Sequence, residues 1–273
     1  MLLALLAAAL AITLCIAPLA GLGGLAVART DEAMQSNLSD MSGGDVPGVT
    51  TITDVYGTPM AWIFSQRRYE VESDQISEHV KHALVSTEDR RFYDHFGVDP
   101  IGIGRALVEN LSAGSTVQGG STLTQQLAKN VFLTPEQTIQ RKIQEAILSV
   151  WLEAKFSKDQ ILEMYLNRVY FGAGAYGIEA ASQRYFDKSA SELTVGEAAL
   201  LAGLLKAPSR YSPLSESERA AARATVVLNE MEEAGVITAA QREQAVTQPV
   251  IVSRTLATQH AQYFIDWLDK SIR

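Results

Sequence analysis

Three hydrophobic regimes follow one another along the chain. From residue 2 to residue 27 no charged side chain interrupts the apolar positions. At about 1.5 Å rise per residue, that run as a helix is long enough to cross a bilayer core of roughly 30 Å. From about Val49 to Phe64 two β-rich runs flank "YGTP", a turn signal, and predict a hairpin. From about Ser77 onward the period becomes helical. "ILEMYLNRVYF" sets Leu162, Tyr165, Leu166 and Val169 on one helical face. "GEAALLAGLLKAP", from Gly196, is apolar almost all round and predicts a central helix. "ESERAAARATVVLNEMEEAG", from Glu216, predicts an amphipathic one.

Local signals mark where the helices start. Capping boxes, in which two side chains satisfy unpaired backbone N–H groups, are predicted at Thr134 with Gln137, Ser157 with Gln160, Thr194 with Glu197 and Thr238 with Gln241. Pro135 adds a residue suited to a first helical position. "NLSAGSTVQGG" and "GAGAYG" read as loops between helices. The boundaries this gives are an anchor over 1–28, a juxtamembrane linker over 29–48, a main domain over 49–231 and a linker-like helical extension over 232–273.

Composition narrows the classes. At 273 residues the chain has room for one large domain or two small ones. A net charge of −8 argues against a nucleic-acid binder held by phosphate contacts. Cys15 is the single cysteine, so no intrachain disulfide and no cysteine-based metal site is available. "AVA" at 26–28 resembles a signal-peptidase site, but the apolar run exceeds the roughly 7–15 residues of a signal h-region, which favours an uncleaved anchor. Either reading sends the rest of the chain outside the cytoplasm.

Four stretches could carry chemistry. In "STEDRRFYDHFG", Glu88 and Asp89 end a helix among arginines and rings. Either carboxylate could serve as a base, Arg90 and Arg91 would favour its charged form, and His95 reads as a brace. In "QGGSTLTQQLAKN", Ser121 or Thr122 can cap a helix that offers Gln125, Gln126, Lys129 and Asn130 as donors, with Gln126 and Lys129 on one face. A helix start plus a lysine suits phosphate as well as it suits an ordinary capped helix. In "RKIQEAILSVWLE", Arg141, Lys142 and Glu145 share a face just where the helix turns apolar, which favours a site acid over a solvated ion pair. The glycines and aromatics of "LNRVYFGAGAYGIEAASQRYF" suit a groove wall and plain packing equally.

In order, "EDRRFYDHFGVD", "GGSTLTQQLAKN", "RKIQEAILSVWLE", "ILEMYLNRVYFGAGAYGIEAAS" and "LTVGEAALLAGLLKAPSRYSP" resemble the motifs of glycosyltransferase family 51. These are the peptidoglycan glycosyltransferases of class A penicillin-binding proteins and monofunctional transglycosylases. The likeness covers about residues 53–230. It implies a mainly α, lysozyme-like fold with head and jaw lobes, a small β-hairpin stem and an N-terminal transmembrane helix. It implies a single-pass plasma-membrane protein with its catalytic domain on the extracytoplasmic side, polymerising lipid II into glycan strands. The implied partners are lipid II, the growing strand, the bilayer and other cell-wall synthesis proteins.

By the same resemblance Glu88 is the general base and Glu145 assists at the pyrophosphate, directly or through a divalent cation, Mg2+ or Mn2+; no organic cofactor is implied. Lys129 and Lys142 would bind pyrophosphate or the neighbouring sugar, supported by Ser121, Gln126 and Arg141. "GVDPIGIGRALVENL" would form the jaw, with Gly102 and Gly104 allowing it to flex. Two departures stand out. Gln137 occupies a position where the family usually has Arg, and the Ser-x-x-Lys and Lys-Thr-Gly motifs of a transpeptidase domain are absent from this chain. A lysozyme-like hydrolase or lytic transglycosylase is the alternative enzyme, and a non-catalytic membrane scaffold the alternative outside catalysis.

Overall fold

The computed structural model describes residues 50–53, 55–56, 59–63, 69–114, 119–133, 138–248 and 250–253. The apolar run of 2–27, the linker over 29–48, the Thr134 box with Gln137 and the tail beyond 253 lie outside these. Among the described residues no helix is long and apolar enough to cross a membrane.

The expected hairpin is present: β1 (Thr50–Thr53) pairs antiparallel with β2 (Pro59–Ile63), Thr50 opposite Ile63. The rest is mainly helical: α1 (Glu78–Glu88), α2 (Pro100–Ala113), α3 (Leu123–Phe132), α4 (Ile139–Lys155), α5 (Lys158–Arg168), α6 (Ile178–Phe186), α7 (Val195–Leu205), α8 (Ser217–Glu233) and α9 (Ala239–Thr247). The boxes at Ser157, Thr194 and Thr238 form as expected. Thr138 caps α4, its hydroxyl accepting from the Arg141 N–H at 3.1 Å.

Helix α7 is the core, as its composition demands. Residues Ala198 to Leu204 are all buried, and α7 packs against α1 and α8. A second group joins α3 to α4 and α5. On α5, Leu162, Tyr165 and Leu166 are buried as the period requires, while Val169, at the cap, is half-buried. Asn167 is buried because its amide bonds the Val71 backbone from both ends, at 3.1 and 2.9 Å, tying the approach to α1 onto α5.

Two expectations need correction, and Gly102 gains a local role. Residues 110–113 extend α2 rather than opening a loop, and the helix stops at Gly114 in the left-handed conformation. "GAGAYG" holds a tight hairpin: β3 (Tyr170–Gly172) pairs with β4 (Ala175–Tyr176), and Ala173 and Gly174 both have positive φ, as a type I′ turn requires. Gly102 lies in the first turn of α2, close to its cap. The Asp99 side chain caps α2 there, and a Cβ on Gly102 would stand 2.5 Å from its carboxylate oxygen.

Candidate active site

Glu88 and Asp89 are adjacent in sequence and border the same small cleft, but the fold gives their side chains different partners. Asp89 is buried. Its Oδ2 accepts from the Leu123 N–H at 3.0 Å, at the first turn of α3, and lies 2.9 Å from His95 Nε2. The buried His95 ring lies between that carboxylate and Glu153, its Nδ1 being 3.8 Å from Glu153 Oε1. Glu153 in turn accepts from Thr124 Oγ1 at 2.6 Å and pairs with Lys158 at 2.7 Å. Lys158 donates to the His95 carbonyl at 2.8 Å and sits 4.5 Å from the centroid of the buried Phe92 ring. Asp89 is therefore an anchor between α1 and α3, and His95 is the brace that its composition suggested.

Glu88 is half-buried and lines a small cleft together with Arg105 and residues 119–122. Its Oε2 accepts from Gln126 Nε2 at 3.0 Å. The two arginines do not close on it. Arg90 donates to Glu233 at 3.1 Å and to the Ser86 carbonyl, while Arg91 stands 3.9 Å from Asp99. Asp89, Phe92 and His95 brace the loop instead, and the arginines serve other acids.

Glu145 is built differently. It is only 3 % exposed. Arg141 Nη1 lies 3.2 Å from Oε1 and Lys142 Nζ 2.7 Å from Oε2. Lys142 also donates to Ser121 Oγ at 2.8 Å, which ties α4 to the loop that borders the Glu88 cleft. Gly97 makes this neighbourhood close. At φ 77° it lies on the α4 backbone, where a Cβ would come within 2.7 Å of Ser149, and its carbonyl accepts from Thr122 Oγ1 at 2.6 Å.

The sequence-predicted residues thus divide. Glu88 with Gln126, and Ser121 with Arg141, Lys142 and Glu145, are brought together around residues 119–122. Lys129 is exposed on the last turn of α3 and contacts neither glutamate. Gln125 is not one of a row of donors: it is buried in the capping box, its Oε1 accepting from the Thr122 N–H at 3.1 Å. The described residues do not by themselves make up a divalent-cation site. Both oxygens of Glu145 face cationic side chains, and among the described residues no group of three or more His, Cys, Asp or Glu is placed to hold a metal ion.

Two groups near Glu88 escaped sequence reasoning. Tyr165 on α5 donates to Gln126 Oε1 at 3.1 Å, and burial, then the Glu88 charge, push its phenol well above the usual range. Only the apolar period marked Tyr165, and that period reads it as core. Glu230 on α8 has its carboxyl raised by burial; Arg223, Thr87 and Arg90 oppose the rise, and Glu88 adds to it. The folded carboxyl therefore titrates above the unfolded one. Between the two values the folded chain holds the extra proton, so stability falls as pH rises. Glu230→Gln is expected to raise stability against urea at pH 7, with the gain shrinking to zero below about pH 4, where the unfolded carboxyl is protonated too.

The same residues fall within a stretch shared with known proteins. A family model described as transglycosylase matches residues 56–232. Penicillin-binding protein 1A of Aquifex aeolicus is 50% identical over 220 residues, covering 81% of this chain and 30% of that protein. Penicillin-binding protein 1A of Escherichia coli is 45% identical over 216 residues, 75% of this chain and 25% of that protein. Penicillin-binding protein 1B of Vibrio cholerae is 47% identical over 205 residues, 73% of this chain and 26% of that protein. A crystal structure of penicillin-binding protein 1A from Haemophilus influenzae overlaps 82% of this chain and 24% of that one, at 23% identity and a TM-score of 0.49. The chain therefore spans 30% or less of the length of these curated relatives. From the turn before β2 almost to the end of α8, the chain belongs to the transglycosylase family.

Proposed function

We propose that this domain is a peptidoglycan glycosyltransferase that polymerises lipid II. The observation that carries the reading is the shared loop of residues 119–122. One side of it borders the Glu88 cleft, and Ser121 on it accepts from Lys142, which with Arg141 surrounds the buried Glu145. One carboxylate is placed where a proton can be taken up, and a cationic pair stands beside the same loop, where negative charge can be received.

Each step then has a residue. Glu88 takes the proton of the 4-hydroxyl on the acceptor's GlcNAc as that oxygen bonds to C1 of the donor's MurNAc. The bond from C1 to the phosphate oxygen breaks, undecaprenyl pyrophosphate leaves with the electron pair, and the anomeric centre inverts. Pyrophosphate is a good leaving group, so charge neutralisation by Lys142 and Arg141 matters more than a strong acid. Glu145 fixes those two cations. Lys129, exposed and turned to neither glutamate, is left to meet the donor's phosphates or sugar from solvent.

Helix α2 fits the lipid part of the substrate and the bilayer. Ala106 is its one buried residue, while Ile101 is 63% and Leu111 73% exposed, with Ile103, Leu107 and Val108 between them. In this reading α2 is the jaw, set against a membrane on the extracytoplasmic side, and α1, α7 and α8 belong to the head.

Incubation with lipid II is the test. Long glycan strands resolved on a gel, with preformed glycan left intact, support the transferase. Cleavage of preformed strands without new polymer supports the hydrolytic alternative, in which water takes the acceptor's place. No change in either substrate supports a scaffold.

A further inference from the structure

Proton transfer to Glu88 does not by itself explain why a phenol should sit behind that carboxylate. Tyr165 is 2% exposed on the inner face of α5. Its hydroxyl donates to Gln126 Oε1 at 3.1 Å, and Gln126 Nε2 donates to Glu88 Oε2 at 3.0 Å. The chain of bonds runs from α5 through α3 to the last residue of α1.

Its polarity is forced. An ionised carboxylate accepts and cannot donate, so the amide must turn its NH2 to Glu88 and its oxygen away. That oxygen then needs a donor. A neutral phenol supplies one, and the burial of Tyr165, with the Glu88 charge nearby, keeps the phenol protonated. A plain core tyrosine would also satisfy its hydroxyl, but a backbone carbonyl would serve, as Phe171 does for the equally buried Tyr185 at 3.0 Å. Tyr165 instead bonds the side chain that holds the proposed base. Gln126 is half-buried, so an amide released at one end can swing into the cleft, and among the described residues no other hydrogen bond holds the Glu88 carboxylate.

We propose that Tyr165 is a positioning residue for glycosyl transfer: acting through Gln126, it fixes the orientation of the Glu88 carboxylate toward the acceptor hydroxyl. The assignment rests on Glu88 being the base. Misplacing a reacting group by about 1 Å costs up to about a hundredfold, and a loosened rotamer costs less, about tenfold. The loss belongs in turnover rather than in substrate binding, because Tyr165 is sealed away from the cleft.

A double-mutant cycle tests this, with kcat and KM measured in lipid II polymerisation. Tyr165→Phe, which keeps the ring, is expected to lower kcat about tenfold with KM within about twofold of wild type. In a Gln126→Met background the same change is expected to have no further effect, because the relay is already broken. An equal loss in both backgrounds, or an unchanged kcat in Tyr165→Phe, overturns the proposal. If Tyr165→Phe does not fold, Tyr165→Met, which removes the hydroxyl and keeps apolar bulk, decides between the outcomes: a lowered kcat that Gln126→Met does not lower further supports the relay, and a wild-type kcat overturns it. Glu88→Gln is run alongside. Activity in that variant removes the base assignment itself, whereas an inactive Glu88→Gln with an additive cycle removes the relay alone.

Discussion

Glu88→Gln is expected to slow glycan polymerisation at least about a hundredfold, the scale on which general acid–base groups act. The substitution is nearly isosteric, and its new amide oxygen can still accept from Gln126 Nε2, so the end of α1 has no reason to move. On the proposed assignment, what disappears is the ability to receive a proton from a sugar hydroxyl, which at neutral pH is a poor nucleophile until that proton is gone. Initial rates at saturating lipid II read the loss directly. The thermal midpoint is expected to stay within about 2 °C of wild type, because Glu88 carries none of the buried contacts that hold this corner together. Asp89 carries those contacts, reaching Leu123 and His95 from a buried position. A full rate in Glu88→Gln would move the base elsewhere, and the buried, doubly engaged Asp89 would be a poor place to look for it.

The contrast between these two acids also marks where sequence reading stops. Most capping boxes were legible, although the one that pairs Thr122 with Gln125 was not. The boxes at Ser157, Thr194 and Thr238 depend on side chains three positions apart, and the burial of α7 follows from composition alone. Features set by distant contacts were not. Glu88 and Asp89 are chemically alike and adjacent, and the contact that separates their roles, Asp89 with the Leu123 N–H, spans 34 positions. Tyr165 has the right period for a core residue and is one; that its hydroxyl meets Gln126 depends on how α5 packs against α3. The last turn of α2 was hidden because Asn110, Ser112 and Gly114 are common in loops, and only the left-handed cap at Gly114 ends the helix. The hairpin at residues 170–176 is too short to show a period and is specified by its turn.

If Lys142 serves the departing group as proposed, Lys142→Met is the complementary experiment, and its effect should approach that of Glu88→Gln. Methionine keeps most of the stem's length and apolar surface while deleting the charge that meets Glu145 at 2.7 Å and Ser121 at 2.8 Å. The lysine side chain is 50% exposed, so its ammonium can reach a ligand while still bonded to Glu145. Removing one preorganised donor from a site of developing negative charge costs about a hundredfold or more in kcat. Stability should fall less than for a broken buried ion pair, because Arg141 remains 3.2 Å from Glu145 and keeps that carboxylate compensated. The split between kinetic constants decides what the charge does. If Lys142 acts on the pyrophosphate as it leaves, kcat falls with little change in KM; if it only anchors the donor, KM rises and kcat holds. Loss of neither would mean that Arg141 alone neutralises the leaving group, and that the Lys142 bridge to Ser121 serves only to hold the 119–122 loop against α4.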